Sequence, residues 1–117
     1  MKRKQQLQMM RPKPTPIACV LSALSPEEVK HERLLLDLIA RATLVSEETS
    51  RGYRFDLSSR ADVLNQIGEL IAIERKCCPL LGFEVRAEAE GGPISLHVWG
   101  REGVKDFIRT AFVAPGS

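Results

Sequence analysis

The sequence predicts an α+β domain in which two β-hairpins form a four-stranded antiparallel sheet with helices packed mainly on one face, in the order α-β-β-α-β-β-α. Three observations predict it. Three stretches carry apolar residues at helical spacing. Two pairs of short stretches alternate in polarity and are joined by glycine-containing turns. Each of the first two helical stretches runs directly into such a pair.

Ser25-Pro26-Glu27-Glu28 starts the first helix: Ser25 caps it, Pro26 takes the first helical position, and Glu28 completes a capping box. Leu35, Leu38, Ile39 and Ala42 give this helix its buried stripe. From Thr43 the period changes to two. Leu44 to Glu48 and Tyr53 to Leu57 read as strands around Ser50-Arg51-Gly52, with Tyr53, Phe55 and Leu57 alternating with Arg54 and Asp56. Ser58 or Ser59 is the expected cap of the second helix, whose apolar face carries Val63, Leu64, Ile67, Leu70 and Ile71. That helix ends near Cys77, because Pro79 disfavours the helical conformation at Cys78.

Phe83, Val85, Ala87 and Ala89 then alternate with acidic and basic residues. Gly91-Gly92 turns the chain into Ile94, Leu96 and Val98. A last helix from Glu102 to Phe112 places Val104, Phe107, Ile108, Ala111 and Phe112 at helical spacing. Gly100-Arg101-Glu102-Gly103 at its start lacks the Lys-Ser or Lys-Thr pair of a phosphate loop and reads as a cap.

At 117 residues and 44% hydrophobic content the chain fits one domain with one core. The formal net charge of +2 is unevenly placed. Lys2, Arg3, Lys4, Arg11 and Lys13 lie within the first fourteen residues, and setting these five aside leaves 12 basic against 15 acidic residues. Residues 1–16 therefore read as a basic, flexible N-terminal extension and residues 17–117 as a single, mildly acidic α+β domain. No basic or aromatic stripe continues from the extension into the domain, so no nucleic acid partner is expected. No run has the apolar length of a signal peptide core or a membrane span, and a cytoplasmic location without a membrane partner is expected. Three cysteines, an odd number, in a cytoplasmic chain point to reduced thiols.

The chemistry concentrates in Glu74-Arg75-Lys76-Cys77-Cys78-Pro79. Glu74 lies three residues before Cys77 and four before Cys78, so all three share one side of the helix end, where the buried stripe runs out. The helix C-terminus and Glu74 disfavour a thiolate, whereas Arg75 and Lys76 favour one. A bound soft cation changes this balance, since coordination removes the thiol proton. Adjacent cysteines do not fill a site alone: Cys19, Glu74, His31 or His97 would have to supply further ligands. Cys19 is also the natural disulfide partner of either adjacent cysteine. The competing structural reading makes the cysteines small hydrophobes at a helix-to-strand corner. His97, flanked by Leu96 and Val98, points away from the core beside Ser95 and Trp99, and His31 falls on the polar side of the first helix. Both read as solvated. Trp99 and Tyr53 together could present an aromatic surface, although a lone Trp at a strand end more often covers a core edge.

The segment from Tyr53 to Phe112 resembles a family of small, uncharacterised bacterial proteins in which an E-R-x-C-C-P helix end is followed by a phenylalanine strand, a glycine hairpin and a final helix. The carrying residues are Glu74, Arg75, Cys77, Cys78, Pro79 and Phe83, then Gly91, Gly92, Gly100, Gly103, Lys105 and Phe107. Cys19 ahead of the first helix also looks like the family pattern, and Leu80 stands where phenylalanine is commoner. The resemblance implies the element order and the unity of the motif, and no particular reaction.

The leading functional expectation is a small thiol-site protein that binds a thiophilic metal or metalloid ion, zinc or another soft ion, through Cys19, Cys77 and Cys78, with Glu74 as ligand or proton acceptor. No organic cofactor is expected. One alternative is a redox or nucleophilic enzyme in which Cys77 or Cys78 attacks, Cys19 resolves the intermediate and Glu74 moves the proton. Another is a non-catalytic module that forms a homodimer through a sheet edge.

Overall fold

A computed structural model describes residues 19–113; the basic extension expected over residues 1–16 lies outside the described residues. The chain enters through a 3-10 turn, Leu21–Ala23, and then forms α1 (Pro26–Ala42), β1 (Thr43–Glu48), β2 (Gly52–Leu57), α2 (Ala61–Cys77), β3 (Gly82–Ala87), β4 (Ile94–Trp99) and α3 (Val104–Ile108), which continues as a wider π-type turn over Arg109–Val113. The expected α+β order and the two hairpins are both present. The strands lie in the spatial order β1-β2-β4-β3, all antiparallel, so the second hairpin adds to the first through β4.

Period-two patterning decides which face is covered. Tyr53, Phe55 and Leu57 on β2 stand directly opposite Val98, Leu96 and Ile94 on β4, and all six are buried under the helices. Leu35 and Ile39 of α1 and Val63, Ile67 and Leu70 of α2 join them in one core, and Val104, Ile108 and Phe112 close its end. Phe112 meets Phe55 with ring centroids 6.3 Å apart. Space and conformation each require a glycine near the ends of the sheet. A Cβ at Gly52 would run into the Val98 carbonyl, and Gly103 has φ +93° just before α3.

The start of α1 follows the sequence closely. Ser25 Oγ accepts from the Glu28 N–H at 3.1 Å, and Glu28 Oε1 accepts from the Ser25 N–H at 2.9 Å. The start of α2 departs from it. Arg60 is the cap residue, without a side-chain cap bond, in place of Ser58 or Ser59. The reason is that the Ser58 N–H donates to the Ala42 carbonyl at 2.9 Å, which keeps this segment beside the end of α1 instead of starting a helix. Leu64 is exposed and Ile71 and Leu38 are only half-buried, because each helix buries a narrower stripe than its apolar content suggests. Tyr53 is buried and Trp99 half-buried, so they form no joint exposed aromatic surface. Trp99 instead packs on Gly82 and carries the Arg51 guanidinium 5.2 Å from its ring centre.

Helices α1 and α2 run antiparallel, with Lys76 reaching Glu28 at 2.6 Å and His31 reaching Glu69 at 3.5 Å. The beginning of α1 thus lies against the end of α2. That juxtaposition builds the site.

Candidate functional site

Five side chains converge where α1 starts and α2 ends. Cys77 is the last residue of α2 and Cys78 its C-cap, whose N–H still donates to the Glu74 carbonyl at 2.6 Å. Glu74 sits one turn back on the buried stripe of α2. The segment before α1 is held onto this end by the Val20 N–H, which donates to the Cys77 carbonyl at 2.6 Å and brings Cys19 in. The fifth residue, Glu32, comes from α1.

Cys77 and Cys78 are fully buried, Glu74 is 3% exposed and Glu32 is 8% exposed, while Cys19 is half-buried at the edge of the cluster. One potential ligand atom from each of Cys19, Glu74, Cys77 and Cys78 lies within 4.8 Å of all the others. Among the described residues this is the one such group that could hold a metal ion. Cys19 and Cys78 are joined as a disulfide, 59 residues apart in sequence, and Cys77 is the free thiol. This corrects the expectation of three reduced thiols. The expectation rested on compartment and count, whereas the Val20–Cys77 backbone bond and the antiparallel helices bring the two sulfurs together regardless of either.

Among the described residues, the site contains no basic partner for a thiolate. Cys77 Sγ donates to Glu32 Oε2 at 3.5 Å and lies 3.8 Å from Cys78 Sγ. Burial, followed by the nearby charges of Glu74 and Glu32, pushes the Cys77 thiol up to about 12. Glu74 is pushed up to about 9, first by burial and then by the hydrogen bond and charge of Glu32 beside it. Arg75 and Lys76, which could have favoured a thiolate, are exposed, and Lys76 is committed to Glu28. As the structure stands, Cys77 is a neutral thiol among neutral or acidic groups and not an activated nucleophile.

The histidines lie elsewhere. His31 pairs with exposed Glu69, and His97 is on the uncovered sheet face, where its Nε2 lies 3.0 Å from Thr49 Oγ1. Neither belongs to the ligand group. Two surface concavities of about 370 and 390 Å³ share Ser50 and Arg51, and neither is lined by a thiol. Glu32 is the site residue that sequence reading missed, and its signal was present. Glu32, Leu35, Ile39 and Ala42 have the 3-4-3 spacing of one buried stripe, which places Glu32 in phase with the core.

Fold and site together define an α+β domain with a buried cysteine–carboxyl cluster. No protein-family model, curated protein or solved structure matches this chain. Among the described residues no helix is long and apolar enough to cross a membrane.

Proposed function

We propose that this chain binds a thiophilic metal or metalloid ion through Cys19, Cys77 and Cys78 in their reduced form, with Glu74 as a further ligand or proton acceptor. The supporting observation is the convergence of these four donors, from two separate segments, within 4.8 Å of one another. Spacing adds to it. A soft ion with bonds to sulfur of about 2.3 Å in tetrahedral geometry holds its sulfurs about 3.8 Å apart, and Cys77 and Cys78 Sγ are 3.8 Å apart. The disulfide and the ion compete for the same sulfurs, so a reducing cytoplasm is the setting in which the site would be filled.

The test is elemental analysis of protein purified with a phosphine reductant and without chelator, with thiols titrated before and after chelation. One ion per chain, released together with newly reactive thiols, is expected. Ion-free protein that also takes up no added zinc, cadmium or arsenite would rule the proposal out.

The disulfide itself favours a second reading, a thiol–disulfide switch in which Cys19 is the resolving residue. That reading predicts a Cys19–Cys78 bond that forms with mild oxidant and reverses with reductant. Unchanged thiol oxidation in Cys19→Ser would exclude it. The high value for Cys77 weighs against the enzymatic form of this reading, since a thiol held protonated attacks slowly.

A further inference from the structure

Resting on the ion-binding reading, we infer that the cluster selects a trivalent, three-coordinate thiophilic ion of the arsenic(III), antimony(III) and bismuth(III) class over zinc and other divalent ions. The inference comes from charge and ligand number. Three sulfurs converge in this buried cluster, and among the described residues the titratable groups packed against them are Glu74 from α2 and Glu32 from α1. The nearest cations in sequence, Arg75 and Lys76, face outward.

Three thiolates around a trivalent ion make a neutral complex. Around a divalent ion they leave at least one negative charge, and a carboxylate as fourth ligand adds another. A buried net charge is costly without a partner of opposite sign, and the partners among the described residues are acids. The conclusion is the same whether the two carboxyls are neutral or ionised, since ionised carboxylates make the surroundings still more negative and favour the more highly charged ion. A trivalent ion with a lone pair is also complete with three sulfurs, whereas zinc requires a fourth ligand.

The entry chemistry agrees. Arsenous acid, which is neutral, reacts with three neutral thiols to give three arsenic–sulfur bonds and three waters. Each hydroxide leaves with one thiol proton, and nothing is oxidised or reduced. The exchange brings no net charge into the cluster, because each thiol proton leaves with a hydroxide as water. A divalent ion would instead have to expel three protons from the interior. Half-buried Cys19 is the sulfur that an incoming solute meets first.

The test uses the full chain, reduced with a phosphine and freed of metal. Arsenite and zinc are titrated separately and then against each other, with the thiols counted and the arsenic environment read by X-ray absorption. Arsenite should protect all three thiols, show three sulfur neighbours and hold the site against about a hundredfold excess of zinc. Cys19→Ser, which in the reduced state lacks no bond that the parent has, should keep its circular dichroism and lose arsenite affinity by about a hundredfold. Zinc that displaces equimolar arsenite, or protection of only two thiols, would overturn the inference while leaving ion binding intact. Failure of arsenite, zinc and cadmium alike would overturn the ion-binding reading beneath it.

Discussion

Glu74 is a carboxyl buried to 3% exposure, and the fold tolerates it by raising its affinity for a proton. With an ordinary value of 4.5, a carboxyl pushed up to about 9 stays protonated in the folded chain after the unfolded chain has released its proton. Stability from this group is therefore fully present below about pH 4.5, falls as pH rises from there to about 9, and is gone above that. Cys77, raised from 9 to about 12, carries the decline further. Glutamine has nearly the shape of the neutral acid and does not titrate. Glu74→Gln is accordingly expected to flatten the profile and to melt at a higher temperature than the parent at pH 8, with little difference at pH 5. Melts of the disulfide forms between pH 5 and 9 check this, and parallel profiles would show that Glu74 is ionised in the folded state. The thiols and Glu74 could be read from the sequence because they adjoin in one helix turn. Glu32 is less legible because its charge hides it from a stripe of Leu and Ile, while phase, not hydrophobicity, places this residue in the core.

At the scale of elements, local rules decided most boundaries and tertiary contacts the rest. The capping box at Ser25 is a local device complete in four residues, which is why α1 begins where the pattern says. Ser25→Ala should cost about 1 kcal/mol of unfolding free energy, read from urea titration with unchanged slope. Any loss within a few tenths of zero would mean that Pro26 and the acidic first turn set the helix start without the cap. The cap of α2 could not be found in the same way, because the Ser58 N–H is taken by Ala42, sixteen residues earlier. The α2 stripe Val63, Ile67, Leu70, Glu74, Cys77 advances by 4, 3, 4 and 3, a narrower seam than Leu64 and Ile71 implied. Apolar spacing predicts a last helix continuous through Phe112; it widens after Ile108, and this wider turn carries Phe112 onto Phe55. Such a change of helical type leaves no mark in apolar spacing.

Across the whole molecule, the helices cover the middle of the sheet and leave its two edge strands, β1 and β3, open. The Cys19–Cys78 bridge ties the entering chain to the end of α2, and a loop of this length restrains the unfolded chain by about 4 kcal/mol, so reduction should lower the unfolding free energy by about that amount. Strand β1 is the more apolar of the two edge strands, with two exposed large hydrophobics against Val85 alone on β3. From Leu44 to Glu48 every residue is exposed, with Leu44 at 71% and Val45 at 53%, and only β2 pairs with it. An edge strand with two adjacent exposed apolar side chains is a template for another strand. The occupant we propose is a second copy of this chain, whose own β1 offers the same edge across a two-fold axis. Leu44→Lys with Val45→Lys places charges of the kind that protect natural edges. The parent should sediment as a concentration-dependent dimer and the double variant as a monomer. Because neither side chain is in the core, the thermal midpoint of the dilute, monomeric protein should be unchanged. A parent that remains monomeric at millimolar concentration would dismiss the edge as an interface and leave β1 protected by Glu47 and Glu48 alone.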